Sequence, residues 1–306
     1  MDGFARLRGA ANRSELITAG YADHEIRSAV RAGVLTQLAS GVVIASDQLD
    51  GTPEQRHREL AIAWARRNPS ATRALGDAAA AAVLGLPVWG LDTSRVVFVE
   101  AATKSRSRTT SAMRVVADRR PPAITVVDGV PVVTPARLVV DLARRADRIP
   151  VVAVGDAALH AQLCTLDDLA EELDLIDGMT GAARARRVIG ELDGLAESVL
   201  ESRSRMEILD AGLPPPELQV DLYDVWGHLV ARVDFYWREQ RVVGESDGKS
   251  KYRGEDGRDR ALHERGRTDA IVELGNRVVH WGWEDVNKWT RLIARLTRAL
   301  STPSAA

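Results

Sequence analysis

Four carboxylates, Glu201, Asp234, Glu245 and Asp247, fall in the last third of the chain, and Lys249 and Lys251 follow the last of them at once. Lysine is scarce here, found only at 104, 249, 251 and 288, so two lysines beside two acids raise a chemical question. "VVGESDGKSKY" reads either as a solvated surface turn, for which "SDGK" is a good sequence, or as part of a phosphodiester-cleaving site. In the second reading Asp234, Glu245 and Asp247 offer hard oxygen ligands to Mg²⁺ or Mn²⁺. Such a cation activates water and stabilises the leaving oxygen, while Lys249 or Lys251 neutralises developing phosphoryl charge. Glu245 and Asp247 are two apart and share a face if they lie on a strand. Adjacent strands would bring Asp234 close to Glu245, and a sheet tolerates such like charges poorly unless a cation or proton relieves them.

Those side chains need elements to position them. "ESVLESRSRMEILDAGLPPP" predicts a helix carrying Glu201, closed by Gly212 and a proline run. "ELQVDLYDVWGHLVARVDFYWREQRVVGESDG" alternates apolar and polar residues through three strands that turn at Trp226-Gly227 and Arg238-Glu239-Gln240. A helix, the strand "NRVVHWGW" and a closing helix follow, giving a mixed α/β unit over 195–300. Trp281 and Trp283 are expected to pack in its core and rim.

That order of parts resembles the PD-(D/E)XK nuclease superfamily. Residues 197–283 more closely resemble its DUF559 branch, related to very-short-patch-repair endonucleases. The likeness lies in "ESRSRMEIL", "AGLPPPELQ", "RVDFYW", "VVGESDGKSKY" and "ERGRTDAIVELGNRVVHWGWEDV". The resemblance implies a restriction-endonuclease-like sheet flanked by helices, with Glu201 as the helical acid and Asp234 as a metal ligand. Glu245 would be the acid after the third strand, with Gln219 and Arg267 in support. Two positions depart from the pattern. A plain E-x-K would put lysine at 247, where Asp247 stands, and the histidine usual near 251 is Lys251 here.

At the other end, "SELITAGYADHEIRSAVRAGVL" places Leu16, Ile17, Ile26, Val30 and Leu35 near helical spacing, with Gly20 and Gly33 as stops and Asp23 as an N-cap candidate. "LTQLASGVVIAS" predicts a ribbon turning at Ser40-Gly41, so residues 1–50 read as a winged helix-turn-helix. "AGYADHEIRSAVRAGVLTQLASGVVIAS" resembles the N-terminal domain of AbiEi-type antitoxins, the regulator half of type IV toxin–antitoxin pairs. The resemblance implies that residues 23–32 enter the major groove of operator DNA, with Arg27 and Arg31 as basic contacts and Gln37 in the wing approach. A solvated helix face is the alternative for the two arginines.

The middle region, 51–180, starts with a helix at Pro53 capped by Thr52. "ALGDAAAAAVLGLPVWG" predicts an alanine-rich helix ended by Gly85 and Pro87. "RVVFVEA", "MRVVAD" and "AITVVDGVPVVT" predict strands, and "TPARLVVDLARR" a helix from Thr134. "GDAAAAAVLGLP" and "VTPARLVVDLAR" resemble the middle of the same antitoxin family and carry no catalytic motif. His160 and Cys164, four apart on an expected helix, read as a core or surface pair rather than metal ligands. The basic run Arg184, Arg186, Arg187 reads as a solvated face, and the glycines 178, 181 and 194 mark the expected domain junction.

The net charge of −2 over 306 residues gives no global attraction to nucleic acid, though 41 basic and 43 acidic residues can still segregate in space. A lone cysteine excludes an internal disulfide and a multi-cysteine zinc site, and suits a reducing cytoplasm. No signal peptide is expected, and the apolar runs fall well short of the ~20 residues a membrane span needs. The fold class is α/β in the α+β sense, and the protein is expected to be cytoplasmic. Three functions compete: a DNA-binding antitoxin-type regulator partnered by a nucleotidyltransferase-like toxin, a Mg²⁺-dependent endonuclease, and a toxin-neutralising protein–protein module.

Overall fold

Apolar periodicity and punctuating glycines generate two compact units in the computed structural model, one of residues 1–154 and 162–190, the other of 155–161 and 191–306. The structure describes residues 4, 7–49, 51–101, 107–247 and 256–301, and for 256–264 the backbone alone. Lys249 and Lys251, the expected catalytic lysines, lie outside the described residues. No helix among those described is long and apolar enough to cross a membrane.

The first unit opens with β1 (Ala11–Asn12), α1 (Arg13–Thr18), α2 (Asp23–Arg31), β2 (Leu35–Ala39) and β3 (Val42–Ala45). The strands pair antiparallel in the order β1-β3-β2, so a helix-turn-helix leads into a ribbon, a winged-helix arrangement. Leu16, Ile26, Ala29, Leu35 and Val43 form its small core. Asp23 is the first residue of α2 rather than its cap. Ala22 holds the cap position, and its N–H donates to the Glu25 carboxylate at 2.7 Å.

α3 (Pro53–Arg67) follows, started by proline and by the Thr52 hydroxyl, which accepts the Gln55 N–H. The "ALG" expected to be helical belongs instead to β4 (Arg73–Gly76), and α4 (Asp77–Val83) begins only after it. Next come β5 (Val96–Ala101), β6 (Arg108–Thr109), β7 (Met113–Asp118), β8 (Ile124–Val127) and β9 (Val130–Val133). They form a mixed sheet in the order β6-β7-β5-β4-β9-β8. β8 and β9 close over Asp128 and Gly129, whose φ values of 51° and 74° suit a two-residue hairpin turn. The helices α5 (Pro135–Arg145), α6 (Arg148–His160), α7 (Leu166–Asp174) and α8 (Ala182–Ile189) complete this part, the last turns of α6 counting with the second unit. α6 ends at His160, so Cys164 is not on the same helix. Its thiol is buried, and burial pushes its pKa up to about 11.

The second unit runs α9 (Val199–Asp210), β10 (Glu217–Tyr223), β11 (Leu229–Trp237), β12 (Val242–Asp247), α10 (Asp256–Glu273), β13 (Arg277–Gly282), α11 (Trp283–Val286) and α12 (Trp289–Ser301). Its sheet has the order β10-β11-β12-β13, antiparallel until β13, which runs parallel to β12. One face packs Leu200, Ile208, Phe235, Trp281, Leu292 and Leu296, while the other packs Val233, Tyr236, Val243 and Ile271. Trp281 is a core residue, as expected, and its indole N–H donates to Ser204 at 2.8 Å. A Cβ at Gly244 would stand 2.4 Å from the Trp281 ring. Gly244→Ala is therefore expected to destabilise this unit by about 1–3 kcal/mol. Its urea midpoint should fall at unchanged slope, and an unmoved midpoint would refute the close approach.

Candidate functional site

In the second unit Gln219 and Asp234 lie where the sheet breaks its own alternation. Residues two apart on a strand normally share a face. Yet Leu218 and Phe235 pack on one face, while Val220 and Val233, two residues away on the same strands, pack on the other. Between them lie Gln219, at φ 51°, and Asp234, so the exchange of faces falls on the candidate residues. Left-handed backbone is uncommon for a residue with a side chain and tends to mark functional positions.

Glu201 sits in the first turn of α9, only 6% exposed. It accepts the Glu197 N–H at 2.9 Å, the Ser198 hydroxyl at 2.7 Å and the Gln219 amide at 2.9 Å. Gln219 in turn accepts from Arg232 at 3.1 Å. Burial raises the pKa of Glu201 above the usual carboxyl value, and the nearby Asp234 charge adds to the rise against those hydrogen bonds. Asp234 Oδ2 accepts both the backbone N–H and the hydroxyl of Ser246, at 2.8 and 3.0 Å. The β11–β12 ladder stops at Phe235–Gly244, one step before Asp234 would oppose Glu245. Glu245 instead pairs with Arg267 at 3.0 Å, and that guanidinium also donates to the Arg232 carbonyl. Asp247 ends β12 opposite Gly282.

The structure therefore brings together Glu201, Gln219 and Asp234, with Ser246 as a partner the sequence reading missed. Glu245 is tied separately to Arg267. Among the described residues no three Asp, Glu, His or Cys side chains converge to hold a metal ion. As placed, Asp234 Oδ2 is engaged by Ser246 and Glu245 Oε1 by Arg267.

A carboxyl whose pKa is raised on folding stabilises the fold only while protonated. Its contribution is full below the ordinary value of ~4.3 and is lost as pH rises through the raised one. Glu201→Gln should flatten that part of the fall in stability measured by denaturation as pH rises above ~4.3. An identical slope in both proteins would sink this assignment.

The second candidate surface is α2. Ile26 and Ala29 face the core, which leaves His24, Arg27, Ser28 and Arg31 exposed, with Gln37 exposed on β2. Arg27 bonds Asp23 at 3.0 Å one turn earlier, and Arg13 from α1 pairs with the same carboxylate. The hydrogen bond from Arg13, with the Arg27 charge, holds Asp23 below its usual pKa. Arg31 has no ion-pair partner among the described residues. Arg67 of α3 donates to the Ser40 carbonyl at 3.4 Å, placing a further cation at the wing turn. Neither Arg13 nor Arg67 was legible as part of this face, since both reach it from other elements.

The polar residues of the middle sheet do something different. Arg120 bonds Asp118 at 2.7 Å and Asp141 at 2.6 Å, and Arg137 bonds Glu172 at 2.6 Å and Asp118 at 3.2 Å. All five are buried. Burial works to raise the Asp118 pKa, but the two guanidinium groups more than offset it and the net shift is downward. This is a buried ion-pair network, with Arg120 Nη1 left without a hydrogen-bond partner.

Comparison with known proteins places a family likeness on this same part. Residues 75–191 match the AbiEi antitoxin C-terminal domain. The match contains both "GDAAAAAVLGLP" and "VTPARLVVDLAR", and it includes Arg120, Arg137, Asp141 and Glu172. Two uncharacterized proteins of Mycobacterium tuberculosis, from strains CDC 1551 / Oshkosh and H37Rv, are each 33% identical over 167 residues. That covers 54% of this chain and 60% of each relative, so the chain spans about three-fifths of the relatives it matches.

Proposed function

We propose that this chain is the DNA-binding regulator of a toxin–antitoxin pair, an antitoxin whose winged helix reads operator DNA. The observation that carries the reading is the match of residues 75–191 to an antitoxin domain, C-terminal to a winged-helix arrangement with an exposed arginine face. In this reading Arg31 and Arg27 contact phosphates or base edges from α2, Gln37 approaches from the wing, and Arg13 and Arg67 flank them. Asp23 restrains Arg27 by accepting from it, which leaves Arg31 as the stronger anchor. The toxin partner, of nucleotidyltransferase-like type by the family resemblance, would meet another surface of the protein.

The second unit serves in this reading as a binding module that keeps the element order of a nuclease without its reaction. Its acids are engaged by Ser246, Gln219 and Arg267, and Asp247 stands where the superfamily pattern has its lysine. A reporter gene driven by the DNA upstream of this chain's own coding sequence tests the regulator role. Co-expressed protein should repress it, and Arg31→Ala should relieve most of the repression. Full expression in the presence of the intact protein would end the regulator reading.

A further inference from the structure

The middle sheet of the first unit walls a cavity of about 200 Å³ that none of the roles above uses. Three guanidinium groups from separate elements line it: Arg95 just ahead of β5, Arg114 on β7 and Arg145 at the end of α5. Val97, paired in register with Arg114, and Leu142 give it an apolar wall. Two carboxylates stand among the cations, and both are engaged. Asp77 bonds Arg145 at 2.6 Å, and Asp92 accepts the Ser94 N–H at 2.9 Å. Three arginines against two aspartates leave one positive charge in excess, and Arg114 has no ion-pair partner among the described residues.

A guanidinium fork is shaped to hold oxyanions, and a recess with one guanidinium in excess of its carboxylates has a cation left to hold a further anion. The volume is below the roughly 300–1,000 Å³ of drug-sized sites, so a dinucleotide is too large. We propose that this cavity binds a small phosphate monoester with an apolar body, its phosphoryl group on Arg114 and Arg95 and its body against Val97 and Leu142. It would give the antitoxin-matched segment a ligand site separate from the α2 face. A phosphate of the DNA backbone carries the same chemistry, so the test must separate the two sources.

Phenyl phosphate and inorganic phosphate, titrated calorimetrically into the full chain, supply that test. Phenyl phosphate should saturate one site and bind more tightly than inorganic phosphate, because only it reaches the apolar wall. Arg114→Ala should weaken it by about tenfold or more, Arg114→Lys less, while duplex binding stays unchanged. Arg114 is exposed, so the variants should keep the parent melting temperature. Absence of saturable phenyl phosphate binding to the parent protein overturns the proposal whatever the variants do. So does an Arg114→Ala change that weakens duplex binding and leaves phenyl phosphate affinity intact, which would assign the arginine to a DNA phosphate.

Discussion

Arg137→Met is expected to remove about 3–5 kcal/mol from the stability of the first unit, because it strands buried Glu172 and half-strips Asp118. Arg137 is 2% exposed and donates to Asp118, Glu172 and the Pro121 carbonyl, so its loss leaves buried acceptors without their donor. Such a loss is a large share of the ~5–15 kcal/mol that holds a typical domain together. Arg238→Ala is the control: it breaks an exposed pair with Glu217 and should leave stability unchanged. Chemical denaturation of the three proteins checks this. An Arg137→Met protein as stable as the parent would mean that Arg137 does not hold Glu172 and Asp118 as described. The consequence reaches function, since "VTPARLVVDLAR", part of the antitoxin-matched segment, supplies Arg137 and Asp141 as scaffold rather than as a site.

Replacing both Arg27 and Arg31 by alanine is expected to weaken binding to the upstream duplex by at least about tenfold at moderate salt. It should also reduce the slope of log affinity against log salt by about 2, since each phosphate contact in duplex DNA contributes about 0.9. Arg31→Ala alone should account for more than half of the loss, because Asp23 already draws on Arg27. Filter binding across a salt series measures both quantities. An unchanged slope in the double variant would move the phosphate contacts off α2.

Which parts of this were legible in the sequence follows from how local the governing physics is. The ribbon turn at Ser40-Gly41, the α3 start at Thr52-Pro53 and the turns at Trp226-Gly227 and 238–240 were all readable. Each is set by a few neighbouring residues with strong backbone preferences. β4 was not, because "ALG" runs straight into an alanine-rich helix and only pairing with β5 and β9 makes it a strand. At the candidate site the residue types were readable and their partners were not. A strict two-residue period puts Asp234 and Glu245 across from one another, but the faces exchange at Gln219 and Asp234. The acids then part company, one to Ser246 and the other to Arg267. The network of Arg120, Arg137, Asp118, Asp141 and Glu172 joins positions up to 54 residues apart, beyond the reach of any local pattern.

Under the proposed function this protein would hold DNA and leave its strands intact. The direct test incubates the full chain with its upstream duplex and with supercoiled plasmid, each with Mg²⁺ and with Mn²⁺, and follows the complex and the products together. A retarded complex and intact strands are expected, with the same outcome for Asp234→Ala and Glu245→Gln. Metal-dependent nicking that disappears in those two variants would overturn the regulator reading of the second unit and make it an endonuclease.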